Sequence, residues 1–588
     1  MRPRHISNER NVHCMQYKGN PVSKGIAIGD VYLYKPVTPE ISEKTINNDA
    51  VEETVKQYYD LRDKAQTELL SIRNDLESSG EPDKAKIFAA QETMLLDVAM
   101  NAGIEELIRE DLLSPECAVQ KTYSKFARLL SKSKDEQIRE RVADLKDLET
   151  RLYRIWFDVN VQDLSSLDKD VVIVAHDLLP SDTARIDRSK ILAIVTETGG
   201  DTSHTAIIAR SYEIPALLGV DKIMEKIADG ETVIVDAVTG ELHSSPDSSM
   251  LEKYGKKREE YKEYSREVKK YLGTEPVTID GVRIEVHLNI GSADPTELAG
   301  SLYTDGVGLF RTEFMYMSGP ALPTEEEQFR VYRKAAIEFG ERPVILRTLD
   351  IGGDKHIEGL KIPIEDNPFL GLRGLRLCFE NPSVFKTQIR AVLRAAKYGN
   401  LWLMLPMVGS LDDIRKAKAI VKEVKNELSR EGIEYKPDVP LGIMIEIPAI
   451  AVIADIVVGE VDFASIGTND LCQYLTAVDR LNPKVTEYYQ SYHPAMFRLI
   501  GQAASAFNAA GKSISVCGEM GGEPMAAAVF IGLGIKKLSM GLSSVPEIKK
   551  LIANLTLSKA KTLAGRVIGC TTADDVELYI KEELKEIF

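Results

Sequence analysis

Several things are scarce in this sequence, and each scarcity excludes something. Six cysteines occur in 588 residues (Cys14, Cys117, Cys378, Cys472, Cys517 and Cys570), scattered and with no Cys-x-x-Cys pair, a pattern that fits reduced thiols in a cytosol. Positive charge is in deficit. The 74 Lys and Arg against 90 Asp and Glu leave a net charge of −16, which argues against nucleic-acid binding and against adhesion to an anionic membrane, and suits a basic protein partner. The longest apolar run, near Met525 to Leu533, is too short to span a bilayer. The opening MRPRHISNER has no apolar stretch of the kind a signal peptide needs, so none is expected. No His-Glu-x-x-His or calcium-loop pattern occurs. Ala510-Gly-Lys-Ser513 imitates the end of a phosphate-binding loop, but position 506 is Ala rather than Gly and the segment lies between a helix and a strand.

What is present divides into blocks, with three or four domains expected from the length. Residues 1–16 read as a polar tail. Glycines and alternating apolar residues over Val22 to Tyr34 predict a turn and strands. From 42 to 158 glycine nearly vanishes and apolar residues recur at helical spacing (Leu61, Ala65, Leu69, Ile72; Val142, Leu145, Leu148, Leu152), predicting four helices in a bundle or a pair of helical hairpins, with breaks near Ser79-Gly80 and Ser114-Pro115. Strands return at Val171–Ala175, Ile191–Val195 and Thr232–Asp236. The bundle is therefore expected as an insertion into an α/β domain made of 17–41 and 159–247. A charge-packed stretch at 248–275 predicts a solvated linking helix, ending at Gly273 before Pro276. From 276 to 588, eight short apolar runs alternate with helical stretches: Ile284–Ile290, Gly306–Phe310, Val344–Leu346, Leu401–Leu405, Leu441–Ile445, Phe463–Ile466, Ile514–Val516 and Leu538–Met540. Eight βα units over this span predict a (β/α)8 TIM barrel. The fold class expected is multidomain α/β.

Two places carry chemistry. Gly199-Gly-Asp-Thr-Ser-His204-Thr-Ala-Ile-Ile-Ala-Arg210 follows a strand, turns on two glycines, and starts a helix capped by Thr202 or Ser203. His204 thereby stands at a helix N-terminus, where unpaired N–H groups favour an anion such as a phosphoryl group, and imidazole is a competent nucleophile. A lone histidine at such a place is more often a cap or a core residue, and the odds turn on the rest of the chain. Thr183 is a candidate hydroxyl partner. The second place is the set of strand ends, where barrel enzymes keep their active sites. Arg311, Arg347, Glu446, the Asn469-Asp470 pair and Cys517 each follow a predicted strand directly or within a short turn. Arginine forks bind phosphate or carboxylate bidentately, and two carboxylates on consecutive strands suit Mg2+, which rarely takes an all-protein cage. Arg373 and Arg480 either add positive charge or pair with nearby acids. Cys517 is an apolar filler or a proton donor, and Cys472 reads as packing.

These residues bring the chain close to a known family. Gly199-Gly-x-Thr-Ser-His-Thr-Ala-Ile-Ile-Ala-Arg210, Gly306-Val-Gly-Leu-Phe-Arg-Thr-Glu-Phe314, Leu322-Pro-Thr-Glu-Glu-Glu-Gln-Phe329, Arg347-Thr-Leu-Asp-Ile-Gly-Gly-Asp-Lys355, Gly442-Ile-Met-Ile-Glu446, Ser465-Ile-Gly-Thr-Asn-Asp-Leu471, Ala477-Val-Asp-Arg480 and Cys517-Gly-Glu-Met520 together resemble Enzyme I of the bacterial phosphoenolpyruvate-dependent sugar phosphotransferase system, from about residue 17 to the C-terminus. The resemblance implies a swivelling α/β phosphohistidine domain with His204 phosphorylated through Nε2. It implies phosphoenolpyruvate binding by Arg311, Arg347, Asn469, Asp470 and Arg480, Mg2+ ligation by Glu446 and Asp470, and protonation of the pyruvate enolate by Cys517. It also implies docking of the histidine-containing carrier protein HPr on the inserted helices, a homodimer through the barrel, and a cytoplasmic enzyme. The sequence departs from the family at Asp201, where Arg is usual, and at His176, where a small residue is usual. A synthase or dikinase relative would require an ATP-binding domain, and none is visible. A nitrogen-regulatory paralogue usually carries an N-terminal sensory domain, for which the short tail leaves no room. A catalytically silent, carrier-binding scaffold finds its only support in Asp201.

Overall fold

The computed structural model describes residues 14–35, 41, 44–78, 82–131, 136–157, 164, 167–179, 182, 188–199, 203–317, 322–352, 360, 362–363, 365–480, 482 and 484–587. It divides into two compact units, Met1–Tyr264 and Ser265–Phe588.

The first unit is built on an eight-stranded sheet: β1 (Met15–Lys18), β2 (Asn20–Ser23), β3 (Ile26–Tyr34), β4 (Val171–Ala175), β5 (Ile191–Thr196), β6 (Ala216–Leu218), β7 (Thr232–Asp236) and β8 (Glu241–Ser244), in the order β1-β8-β7-β3-β4-β5-β6-β2. Strands β3 to β6 run parallel, and every residue of β4 is buried, as a strand covered on both faces requires. Although β1 and β2 are separated only by Gly19, they pair with opposite ends of the sheet, β1 with β8 and β2 with β6. The chain bends at Gly19, whose N–H donates to the carbonyl of Gly240 at 3.0 Å. A side chain at position 19 would lie 2.6 Å from Val220 Cγ2, so the bend has room only for glycine.

Between the parallel neighbours β3 and β4 the chain leaves the sheet for five described helices: Val51–Ser78, Pro82–Leu95, Val98–Arg109, Pro115–Ser131 and Glu136–Phe157. Four were expected. One break not read from the sequence falls at Leu96-Asp97, where Asp97 caps the next helix by accepting from the N–H of Met100; with neither Gly nor Pro at the break, helical periodicity runs through it unmarked. The bundle has its own core, including Tyr58, Phe88, Tyr123, Leu148 and Leu152. Two buried polar pairs cross it: the Tyr58 hydroxyl donates to Asn101 at 2.7 Å, and Gln91 donates to Asp147 at 2.8 Å.

The charged stretch forms the helix Ser248–Lys269. It is not solvated all round. Tyr254 is buried against Ile26 and Ile234, its hydroxyl lies 2.9 Å from His243 Nε2, and Lys257 reaches buried Asp236 at 2.5 Å.

The second unit is a closed barrel of eight parallel strands: β9 (Glu285–Ile290), β10 (Val307–Arg311), β11 (Val344–Arg347), β12 (Leu401–Leu405), β13 (Leu441–Ile445), β14 (Phe463–Ile466), β15 (Ser513–Val516) and β16 (Lys537–Met540). Each falls within two residues of the run read from the sequence. Leu309, Ile345, Met404, Met444 and Phe463 form a compact cluster with Cys517 that is separate from the larger apolar shell between strands and helices. The barrel is thus a packed core, and chemistry is confined to its rims. No helix among the described residues is long and apolar enough to cross a membrane.

Candidate active site

The C-terminal rim of the barrel gathers the charged strand ends. Arg311 closes β10 and Arg347 closes β11, paired in register. Two neighbouring guanidinium groups need counter-charge. Buried Arg347 finds it in Glu313 Oε1 at 2.5 Å and Asp350 Oδ2 at 2.8 Å. The backbone beneath is fixed as well: Thr312 Oγ1 donates to the Arg347 carbonyl at 2.8 Å, and Gln388 donates to Thr312 while accepting from the N–H of Leu349.

Glu446, one residue past β13, is fully buried. Its Oε1 accepts from the N–H of Met407 at 2.6 Å, and Met407 is held at a positive φ of 54°. Its Oε2 has no partner among the described residues. Burial, with Asp350 and Asp470 close by, pushes this carboxyl up against the opposing pull of Arg347 and Arg373. A buried oxygen of this kind calls for a proton or a cation.

Asp470 lies in the first turn of the helix Thr468–Thr476, which follows β14. Both of its oxygens accept from Arg373 at 3.1 Å, and Arg480 Nη1 stands 3.7 Å away. Of the two readings of Arg373, ion pairing with acids is therefore the one seen, and the acids are those of the rim. Asn469 Oδ1 accepts from the N–H of Glu519 at 3.1 Å, which ties the end of β14 to the segment after β15. The donor set around Glu446 Oε2 and Asp470 is hard oxygen, which fits a hard divalent cation. Among the described residues no group of three or more His, Cys, Asp or Glu forms a protein-only metal cluster, so such a cation would complete its shell with substrate and water.

Cys517 follows β15 and is buried beneath the same rim. Its Sγ lies 3.6 Å from the carbonyl of Ile466, and its own carbonyl accepts from Asn289 at 3.0 Å. Burial pushes the thiol up to about 11, with Arg347 and Arg311 pulling the other way. It is a protonated thiol at neutral pH.

The other expected residues lie in the first unit. Gly199, at φ +104°, turns the chain after β5, and Ser203 caps the helix His204–Ser211 by accepting from the N–H of Ala206. The helix opens on His204; the His204 side chain, Thr183 and Asp201 lie outside the described residues. Thr205, the next residue, contacts the carbonyl of Leu178 at 3.5 Å, so the helix start sits beside the segment that leaves β4. On that segment His176 is exposed, with Nδ1 2.7 Å from Glu197. Asp182 accepts from the Tyr34 hydroxyl at 2.5 Å and from the N–H of Leu179, and burial pushes it up to about 6.

Three residues of the rim escaped sequence reasoning: Asp350, Glu313 and Asn289. Asp350 and Glu313 each follow a strand end by two or three residues, which was the available signal. Nothing in spacing distinguishes a counter-ion from a surface acid.

Residues 265–557 match the family described as PEP-utilising enzyme, PEP-binding domain; 167–240 match its mobile domain, and 18–141 its N-terminal domain. The chain is 39% identical over 575 residues to a phosphoenolpyruvate-protein phosphotransferase of Staphylococcus carnosus, covering 97% of this chain and 99% of that one. It is 41% identical over 574 residues to the protein of that name in Listeria innocua, covering 97% and 100%. A solution structure of an Enzyme I protein, nEIt, aligns at 34% identity over 42% of this chain and 99% of its own, with a TM-score of 0.37.

Proposed function

The chain belongs to the phosphoenolpyruvate–protein phosphotransferase family and moves a phosphoryl group from phosphoenolpyruvate to protein, and from that premise we propose that His204 is the phosphorylated residue and that the barrel rim holds the donor. The observation that carries this reading is the convergence on one rim of two in-register arginines, an unpartnered buried carboxylate oxygen and a buried thiol.

In this reading Arg311 and Arg347 hold the phosphate and carboxylate of phosphoenolpyruvate, with Asn469, Asp470 and Arg480 completing the pocket. Glu446 and Asp470 hold Mg2+, which when bound supplies charge neutralisation at the substrate's oxygens. Phosphoryl transfer needs positioning and neutralisation more than covalent help. His204 Nε2 attacks phosphorus as the bond to the enol oxygen breaks. The methylene carbon of the enolate takes the proton of Cys517 Sγ, giving pyruvate, and the thiolate regains a proton from solvent. One imidazole cannot occupy the rim and a separate acceptor at once, so the domain made of 17–41 and 159–247 swings on the linker at 248–275. It delivers the phosphoryl group to a histidine of HPr docked on the helices within 42–158. The barrel at 276–588 pairs with a second copy, and the enzyme is cytoplasmic, at the head of phosphotransferase sugar uptake.

The test is incubation with Mg2+ and labelled phosphoenolpyruvate, followed by addition of the carrier. Acid-labile, base-stable label is expected on His204 and none on the His204→Ala variant. Label surviving that substitution would sink the site assignment.

A further inference from the structure

Arg373 has no spare donor. Its Nε–H and one Nη2–H reach the two oxygens of Asp350, at 3.2 and 3.1 Å. Its other Nη2–H and one Nη1–H reach the two oxygens of Asp470, both at 3.1 Å, and the last Nη1–H reaches the Tyr474 hydroxyl at 3.3 Å. All five N–H groups of the fork are used. The arrangement is buried, and it is asymmetric with respect to the cation site assigned above: Glu446 offers an unpartnered oxygen, whereas Asp470 has a guanidinium hydrogen-bonded to both oxygens. Tyr474 in turn donates to the carbonyl of Phe369 at 2.5 Å, so the same contacts bind the segment carrying Arg373 to the helix carrying Asp470.

We propose that Arg373 is a positioning residue that competes with the divalent cation for Asp470. It holds the carboxylate in place before the cation arrives, then releases it while remaining anchored on Asp350. A dication ligated by Asp470 would lie within a few ångströms of the guanidinium, and like charges at that distance in a buried site repel strongly. The bidentate hold on Asp350 gives the fork a pivot. The donors withdrawn from Asp470 are then free for an anionic oxygen of the incoming phosphate. The device keeps buried Asp470 from standing unpaired in the absence of cation, where an isolated charge would be costly, and it links the 365–373 segment to cation loading. This rests on Glu446 and Asp470 being the cation's ligands.

Binding of Mn2+ to the full chain without substrate, followed by electron paramagnetic resonance of the free ion, tests both. Removal of the competing charge in Arg373→Met should tighten Mn2+ by about tenfold or more, within the usual range of coupling between sites. Arg373→Lys, which keeps a charge, should stay near the unsubstituted protein. A purely structural arginine would instead make Arg373→Met bind the same or more weakly, and that outcome in a folded variant overturns the proposal. Glu446→Gln should abolish binding, and if it does not, the assignment of the ligands fails rather than the competition. Should Arg373→Met not fold, the unsubstituted protein still decides: hydrogen exchange over 365–376 should rise when Mg2+ is added, and unchanged or reduced exchange overturns the competition.

Discussion

Gly518 is the joint between the proton donor and the proposed cation site, and replacing it with alanine tests whether their spacing sets the rate. The residue has φ −71°, which alanine adopts freely, so any effect comes from contact alone. The added Cβ would stand 2.5 Å from the backbone nitrogen of Thr468 and would collide with its hydroxyl. The hydroxyl can rotate away, but the backbone cannot. Ordinary contact begins near 3.4 Å, so the start of the helix carrying Asn469 and Asp470 must retreat by about 0.9 Å from the end of β15. Overpacking of this kind costs about 1–3 kcal/mol, seen as a loss of a few degrees in the Tm of the barrel. A displacement of about 1 Å between groups that must act together costs roughly 100-fold in rate. Arg311 and Arg347 sit on other strands and are not moved, whereas Asn469 and Asp470 travel with the helix, so KM for phosphoenolpyruvate should rise alongside the loss in kcat. Pyruvate release coupled to lactate dehydrogenase, with carrier present, gives kcat and KM, and calorimetry gives Tm. A variant that loses stability as expected yet turns over within about twofold of the parent would show that the spacing of the two strand ends does not govern the chemistry.

Cys517→Ser should keep phosphoenolpyruvate binding while pyruvate production drops sharply. Because the thiol is raised to about 11, alkylation of Cys517 should stay slow through pH 9, measured by peptide mass spectrometry against exposed Cys14; prompt alkylation at pH 7.5 would contradict a protonated thiol. Arg347→Gln leaves Glu313 and Asp350 buried with less counter-charge and should destabilise the barrel by about 3–5 kcal/mol in addition to raising KM; a normal melting curve would show that the clamp is dispensable. Asp182 is raised from 3.8 to about 6 in the fold, so folding favours its protonated form. The stability linked to it is present at low pH and is lost as pH climbs through about 6, on the order of 3 kcal/mol. Asp182→Asn should therefore flatten the fall in Tm of the first unit between about pH 4 and 6.5, and an unchanged slope would exclude Asp182 as its source.

The barrel was legible because each strand is a short apolar run followed by a polar turn, and the rule that chemistry lies at strand ends then names Arg311, Arg347, Glu446, Asp470 and Cys517 with no coordinates. The address of His204 was legible from two glycines and a capping serine. What sequence could not give is pairing at a distance. Arg373 and Asp470 are far apart in the chain, and only the fold tells that their charges cancel rather than face solvent. Asp350 was invisible for the same reason, since an acid three residues past a strand end has no pattern of its own. The break at Leu96-Asp97 was missed because an aspartate cap resembles any exposed acid inside a helical period. Tyr254 was hidden by its neighbours: one apolar ring among charges barely perturbs the periodicity, yet it seats the linking helix on the sheet.

The bend at Gly19 has a consequence for the solution behaviour of the first unit. An open eight-stranded sheet presents two rows of unpaired N–H and C=O groups, each a template on which another chain can polymerise. Here a single segment, residues 15–23, supplies both border strands, β1 beside β8 and β2 beside β6. Protection of the two borders is therefore all-or-none. A proteolytic nick or a bulky residue at the bend should loosen β1 and β2 together and uncover the borders of β8 and β6. One glycine at the bend thus ties the two ends of the sheet together.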